Sequence, residues 1–432
     1  MIATLLFVAF LAMLMLGVPI GAALGLAGAV CIALANPDVQ WFGLLAVPQN
    51  FYAGLGKYPL LAVPMFVLVG SIFDRSGVAL RLVNFAVAIV GRGPGMLPLV
   101  AIAVAMFLGG ISGSGPANAA AVGAVMIAAM SRAGYPAPFS ASVVGAAAAT
   151  DILIPPSVAF IIYSVLVTGA SVPALFAAGM IPGILAGLAL MVPAVWMARH
   201  HKMGQREAEL PRPPFWRSLR EALWGLAAPV LILGGMRAGW FTPTEAAVVA
   251  VFYGLFVGMV VHRTIKVRDL FTILRESGEL SAVILLVVSL AGIFAYSLST
   301  LGVIDPVTRA IVNSGLGEYG VLGLLIVLLV TVGMFLDGVS IFLIFVPLLV
   351  PIMRHYNWDP VWFGVILTLK VALGQFTPPL AVNLMVSCRI AGVPMESTFR
   401  WVGWMLLSMA AVMVLVIAFP QLALWLPRTL GY

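Results

Sequence analysis

The sequence predicts an all-α protein that crosses a membrane many times and is built from two related halves. Three observations predict it. Of 432 residues, 63% are hydrophobic and only 9% charged, at a mean hydropathy of +1.15, against about a quarter charged in soluble domains. Uncharged apolar stretches long enough for a bilayer-spanning helix recur along the chain, whereas a membrane barrel would show short alternating segments. Motifs of the first half return in the second at a nearly constant offset. At about 20 residues per span, the chain has room for roughly ten to twelve crossings.

No Lys or Arg precedes Lys57, so residues 1–36 lack the basic start of a cleavable signal and read as a retained membrane segment. The net charge of +7 has its densest cluster in "RHHKMGQREAELPRPPFWRSLRE" (199–221), and a second basic stretch, "HRTIKVRDLFTILRE", covers 262–276. Two apolar segments, 225–240 and 245–261, separate them. Two crossings put both basic stretches on one side, which the positive-inside rule makes the cytoplasm. The charge is therefore assigned to topology and not to a nucleic-acid partner. Cys31 and Cys388 both sit in apolar sequence and read as packing residues, since two distant cysteines define no disulfide framework or metal site.

The repeat is the most informative feature. Pro19 returns as Pro243, 224 residues on; Phe73 as Phe294, at 221; Pro155 as Pro378, at 223; Pro173 as Pro394, at 221; and "MFLGGIS" from Met106 as "MFLDGVS" from Met334, at 228. The halves thus span 1–200 and 225–432 around a connection at 201–224. Each carries a glycine-rich disturbance, "FLGGISGSGPANAAAVG" (107–123) or "GMFLDGVS" (333–340), then a Pro-Pro pair, "DILIPPS" (151–157) or "GQFTPPLAVN" (374–383). Proline has no N–H, so in a helix the carbonyls of Asp151, Ile152, Gly374 and Gln375 lose their partners. In hydrocarbon such backbone is tolerated only when buried in protein or lining a polar cavity. One interruption alone reads as close helix packing. Paired interruptions in both halves point to a transporter site, with helix N-termini toward an anion and freed carbonyls toward a cation.

Asp151 is the only charged residue between 133 and 198, Lys370 the only one between 360 and 388, and Asp337 interrupts a third apolar run. An ionisable group inside a membrane is a functional hypothesis by default. Two roles fit the first pair: Asp151 and Lys370 bind each other and hold the halves together, or Lys370 meets an anionic substrate or stands in for a bound cation. "GISG" (110–113) fits a G-x-S-G serine-protease pattern, but His200, His201, His262 and His355 all lie in polar connections, leaving Ser112 without a base. The chain has no P-loop and no H-E-x-x-H, so an ion gradient and not ATP is the expected energy source.

Six stretches carry a family resemblance: "GGISGSGPANAAAVGAVMIAAMSRAGY" (109–135), "ILIPPSVAFIIYS" (152–164), "ALFAAGMIPG" (174–183), "GWFTPTEAAVVA" (239–250), "GMFLDG" (333–338) and "GQFTPPLAVNL" (374–384). Over essentially its whole length the chain resembles the large membrane subunit, of dicarboxylate type, of tripartite ATP-independent periplasmic (TRAP) transporters. The resemblance implies a sodium-driven importer of an organic acid in the bacterial inner membrane. It implies two inverted repeats, each with a re-entrant hairpin (106–131 and 334–354) and a broken helix (around 139–165 and 360–388), moving as an elevator. Implied partners are a small four-helix membrane subunit, here a separate chain, and a periplasmic solute-binding protein; no cofactor is implied beyond coupling sodium ions. The substrate and ion region carries over to Ser112, Gly113, Ser114, Gly115, Asn118, Thr150, Asp151, Pro155, Pro156 and Ser157 in the first half. In the second it carries over to Asp337, Gly338, Ser340, Lys370, Gln375, Thr377, Pro378, Pro379 and Asn383. Sodium falls to Ser112, Ser114, Asn118, Gly338 and Thr377. Positions 151 and 370 are more often uncharged in that family, and a lysine in place of a cation site would lower the number of sodium ions per cycle. The alternative is a stand-alone ion-coupled carrier or ion channel that needs no binding protein.

Overall fold

The computed structural model describes residues 2–35, 40–90, 93–209, 211–334, 336 and 338–432, and every regular element among them is helical. The first half runs through α1 (Ile2–Met15), α2 (Ile20–Ala35), α3 (Gln40–Leu55), α4 (Ala62–Arg75, entered by a 3-10 turn, Tyr58–Leu61), α5 (Val78–Ile89), α6 (Met96–Ser112), α7 (Gly115–Arg132), α8 (Ala137–Ala148), α9 (Val158–Leu166) and α10 (Val172–His200). The second runs through α11 (Phe215–Arg237), α12 (Pro243–Leu255, prolonged by a π-helical turn, Phe256–Val261), α13 (Val267–Thr300), α14 (Ile304–Val312), α15 (Gly317–Gly333), α16 (Gly338–His355), α17 (Pro360–Gly374), α18 (Val382–Ala391), α19 (Phe399–Ala418) and α20 (Gln421–Leu430). Local chemistry sets several starts. Pro173, Pro243 and Pro360 occupy first turns, where no N–H is needed. Ahead of them Ser171, Thr242 and Asp359 accept from the first backbone N–H groups, Thr242 and Glu245 as a reciprocal capping box.

Packing sorts these helices into a belt and an inner cluster. In the belt α2 and α3 lie on α13, and α4 lies on α12. Its outward side chains, among them Leu11, Leu45, Val230 and Val283, are apolar and exposed, as a lipid-facing surface requires. Inside, α6–α7 and α15–α16 form hairpins, while α8–α9 and α17–α18 are helices broken at the Pro-Pro pairs. The second half of each broken helix packs on the second arm of the other repeat's hairpin, α18 on α7 and α9 on α16. Every residue of α17 from Trp362 to Gly374 is buried.

The two hairpins open on opposite faces. At the base of the first, Leu97 N–H (2.9 Å) and Tyr135 O–H (2.5 Å) donate to the Glu207 carboxylate, and Arg206 N–H donates to Ala133 O, so this base sits on the face of the basic connection. From that face α11 crosses to Arg237, which donates to Leu430 O at 2.9 Å. Two residues before Leu430, Arg428 lies 3.9 Å from Asp359 at the base of the second hairpin, where Trp358 also donates to Glu318. The second repeat is therefore inverted relative to the first.

Several boundaries differ from expectation. The hairpins begin at Met96 and Gly317, not at 106 and 334, because each tip is fed by a whole apolar helix and the motifs mark only the tip. The connection ends at Phe215 instead of 224. Since α7 begins at Gly115 and α16 at Gly338, the hairpins align at an offset of 223, as the Pro-Pro pairs do. The match of "MFLGGIS" to "MFLDGVS" at 228 is thus not structural: the first lies in the last turns of α6, whereas Gly338, Val339 and Ser340 of the second already belong to α16. Among the described residues seven helices are long and apolar enough to cross a membrane, and eight shorter apolar helices accompany them. Counting 20 residues per crossing misjudges the shorter ones, most of which belong to hairpins or broken helices.

Candidate functional site

Where the inner cluster meets the belt lies a cavity of about 410 Å³. Both hairpin tips reach it, through Gly113–Ala117 and Gly338, and so do both breaks, through Ile152 and Val158 and through Gln375 and Ala381. The belt closes it with Ser71 and Asp74 of α4 and Leu280 and Ile284 of α13. Four helices, α7, α9, α16 and α18, point their N-termini into this one space, with Gly115, Val158, Gly338 and Val382 on its wall. An N-terminus carries unpaired N–H groups and about half a positive charge. Neither Ser114 nor Ser157, the residues preceding α7 and α9, caps its helix with its side chain.

The breaks are held without helical bonds. Ile152 O, stripped of its donor by Pro156, accepts from Ser157 Oγ at 2.6 Å, and Gln375 O, stripped by Pro379, accepts from Asn383 N at 3.1 Å. Gly374 O accepts from Thr377 N at 3.2 Å. Three of the four carbonyls expected to be orphaned are thus repaired within a few residues. The Pro155–Pro156 and Pro378–Pro379 bonds are both cis. Thr150 Oγ1 and Thr377 Oγ1 donate to Ala147 O and Leu373 O, which leaves each hydroxyl oxygen its lone pairs to accept with.

Glycines let the tips come this close. A Cβ on Gly109 would stand 2.6 Å from the Asp151 Cα, one on Gly115 would stand 2.6 Å from both amide atoms of Asn383, and one on Gly374 would meet Gly333 O at 2.9 Å. Beside Gly115 lie two buried amides with one orphan atom each. Asn118 donates to Ala105 O at 2.8 Å and Asn383 donates to Gln375 Oε1 at 3.0 Å, but neither Oδ1 has a partner among the described residues. A buried unpaired amide oxygen costs about 1–3 kcal/mol, and a hard cation is a fitting ligand for it.

The expected charges fall elsewhere. Asp151 and Lys370 do not pair: both side chains are fully buried, and neither the carboxylate oxygens nor Nζ has a hydrogen-bond or ion-pair partner among the described residues. Asp151 packs against Gly109 of the first hairpin and Lys370 against Gly333 of the second. Each charge thus lies against its own repeat's hairpin, which keeps the two apart. Neither lines the cavity. Ser340 is buried in the first turn of α16. Asp337 and the Ser112 side chain lie outside the described residues. Sequence reasoning missed Asp74, which lines the cavity from α4. Its only signal was its place beside the Phe73 repeat marker, since an "FDR" at a helix end reads as ordinary surface charge.

The family profile "Tripartite ATP-independent periplasmic transporter, DctM component" matches residues 7–422. The chain is a TRAP transporter large permease component. The permease is 37% identical to the C4-dicarboxylate TRAP transporter large permease protein DctM of Pseudomonas aeruginosa, over 94% of each chain. It is 34% identical to the sialic acid large permease SiaM of Vibrio cholerae, over 98% of each. It is also 34% identical to the isethionate permease DctMQ of Oleidesulfovibrio alaskensis, spanning 96% of this chain and 65% of that one. In fold it is similar to the YdaH transporter of Alcanivorax borkumensis, at a TM-score of 0.60 and 12% identity over 94% of this chain and 100% of that one. It is therefore a membrane transport protein and not an enzyme.

Proposed function

We propose that this permease imports an organic carboxylate across the bacterial inner membrane, coupled to sodium, with the inner cluster moving as an elevator within the belt. The convergence of four helix N-termini from both repeats on one cavity carries the reading. Such an arrangement holds an anion without a buried basic side chain, and the chain contributes no Lys or Arg to the lining among the described residues. Sodium suits the oxygens alongside, Asn118 Oδ1, the Thr377 hydroxyl, Ser114 and the backbone at Gly338, and the family resemblance adds Ser112. Relatives named for a C4-dicarboxylate, sialic acid and isethionate share an anionic group and little else, in keeping with recognition by helix termini. The partners are a small four-helix membrane subunit docked on the belt and a periplasmic solute-binding protein that selects the substrate. The basic connection marks the cytoplasmic face.

The test is uptake into proteoliposomes that hold the permease and its small subunit, with the binding protein and an organic acid outside. A sodium gradient should drive accumulation and potassium should not replace it. Asn118→Ala should raise the sodium concentration for half-maximal uptake by about tenfold, equivalent to one lost ligand of about 1.4 kcal/mol. Uptake that ignores sodium, or that persists without any binding protein, would instead favour a stand-alone carrier or channel.

A further inference from the structure

Asp74 is an acid in a cavity that the preceding reading assigns to an anion. We propose that it works against the anion in one state only: it weakens the hold of the cavity described above on the anion, while the opposite-facing cavity lacks this charge, so release is favoured toward the basic face. This rests on the carboxylate-import reading.

Asp74 lies in the last turn of α4, is exposed, and lines the cavity. No other charged side chain among the described residues does so. The adjacent cation is already taken, because Arg75 binds both oxygens of Glu276 on α13, at 2.6 and 2.8 Å. Just beyond the helix end, Arg81 donates to Gly77 O and the His262 ring bonds Ser76 O. Asp74 itself makes no hydrogen bond or salt bridge among the described residues, so no side chain there pairs with its carboxylate.

The repeat supplies the second observation. α4 and α13 end at Arg75 and Thr300, each two residues before a glycine of positive φ (Gly77 and Gly302), and this offset of 225 carries the cavity-lining face of α4, Val67, Gly70, Ser71 and Asp74, onto Gly292, Ala295, Tyr296 and Ser299 of α13. None of the four is charged. In an inverted-repeat transporter the opposite-facing state follows when the two halves exchange conformations, so α13 then offers the face that α4 offers here. The helix N-termini stay with the anion in both states. The opposing carboxylate meets it only near the basic connection, where α4 ends and α13 begins.

The charge can be read without any substrate. With the buried Cys31 and Cys388 changed to Ala, a single cysteine is placed on the cavity wall as Ser71→Cys, one turn from Asp74, or as Met385→Cys on the facing wall. Each is labelled with anionic 2-sulfonatoethyl or cationic 2-(trimethylammonium)ethyl methanethiosulfonate. The cationic reagent should react faster, after correction for its rate with free thiol. Asp74→Asn should shrink that preference by threefold to tenfold, on the order expected for a unit charge several ångströms away in wet surroundings, and Asp74→Glu should keep it. A preference that Asp74→Asn leaves unchanged at both positions overturns the proposal, and so does failure of both cysteines to react with either reagent. Loss of the import reading would show separately, as absent uptake of every organic acid tried while the labelling preference stands.

Discussion

Adding one methyl group at Gly109 sets two effects of opposite sign against each other. Gly109 lies inside α6, where Gly→Ala ordinarily stabilises a helix by about 1 kcal/mol. Here the new Cβ would stand 2.6 Å from the Cα and 2.7 Å from the Cβ of Asp151. Ordinary carbon contacts are about 3.5–4.0 Å, so the hairpin arm or the break must move by about 1 Å. The opposing atoms are backbone and its first side-chain carbon, which cannot rotate away, so the strain belongs at the upper end of the roughly 1–3 kcal/mol typical of overpacking. The net expectation for Gly109→Ala is a loss of about 1–2 kcal/mol, which at about 2 °C per kcal/mol in a large chain lowers Tm by roughly 2–4 °C. The control is Gly323→Ala in α15, where nothing stands within 4 Å of an added Cβ, and there the helix term alone should leave Tm equal or slightly higher. Both can be followed by the intrinsic fluorescence of the ten tryptophans on heating the detergent-purified permease. If Gly109→Ala raises Tm as Gly323→Ala does, the close approach of hairpin and break is refuted.

Two further changes test the charges. Burial raises the Glu207 pKa from its ordinary 4.5, with the hydrogen bonds from Tyr135 and Leu97 pulling the other way. The folded state then holds a proton that the unfolded state has released, so stability falls as pH rises from about 4.5 through the folded pKa and is flat above it. Glu207→Gln should abolish this slope in Tm measured between pH 4 and 8, and a wild-type-minus-variant difference that rises with pH would contradict it. Lys370→Met should leave Tm unchanged or raise it by a few degrees, since an amine buried without a partner among the described residues costs about 1–3 kcal/mol; a large fall in folded protein would show that Nζ is held by a partner after all.

The sequence by itself determined the membrane class, the duplication and the places where helices must break, because each follows from local chemistry: hydropathy, recurrence, and prolines without an N–H. It pointed to elements that the fold brings to one cavity, because Pro-Pro pairs and glycine runs have few other uses in hydrocarbon. It misjudged what depends on distance in space. Asp151 and Lys370, rare charges in matching elements, fitted either a mutual pair or a Lys370 contact with substrate or in place of a cation, yet each packs against its own repeat's hairpin. The hairpin offset of 228 gave way to 223, since similar apolar-glycine runs end one helix and begin another. Only the tertiary structure decided that four helix N-termini from both halves share one cavity and that Asp74 of the belt faces it. Those facts rest on helices more than a hundred residues apart packing on one another, α7 with α18 and α9 with α16, and no local pattern encodes which helix meets which.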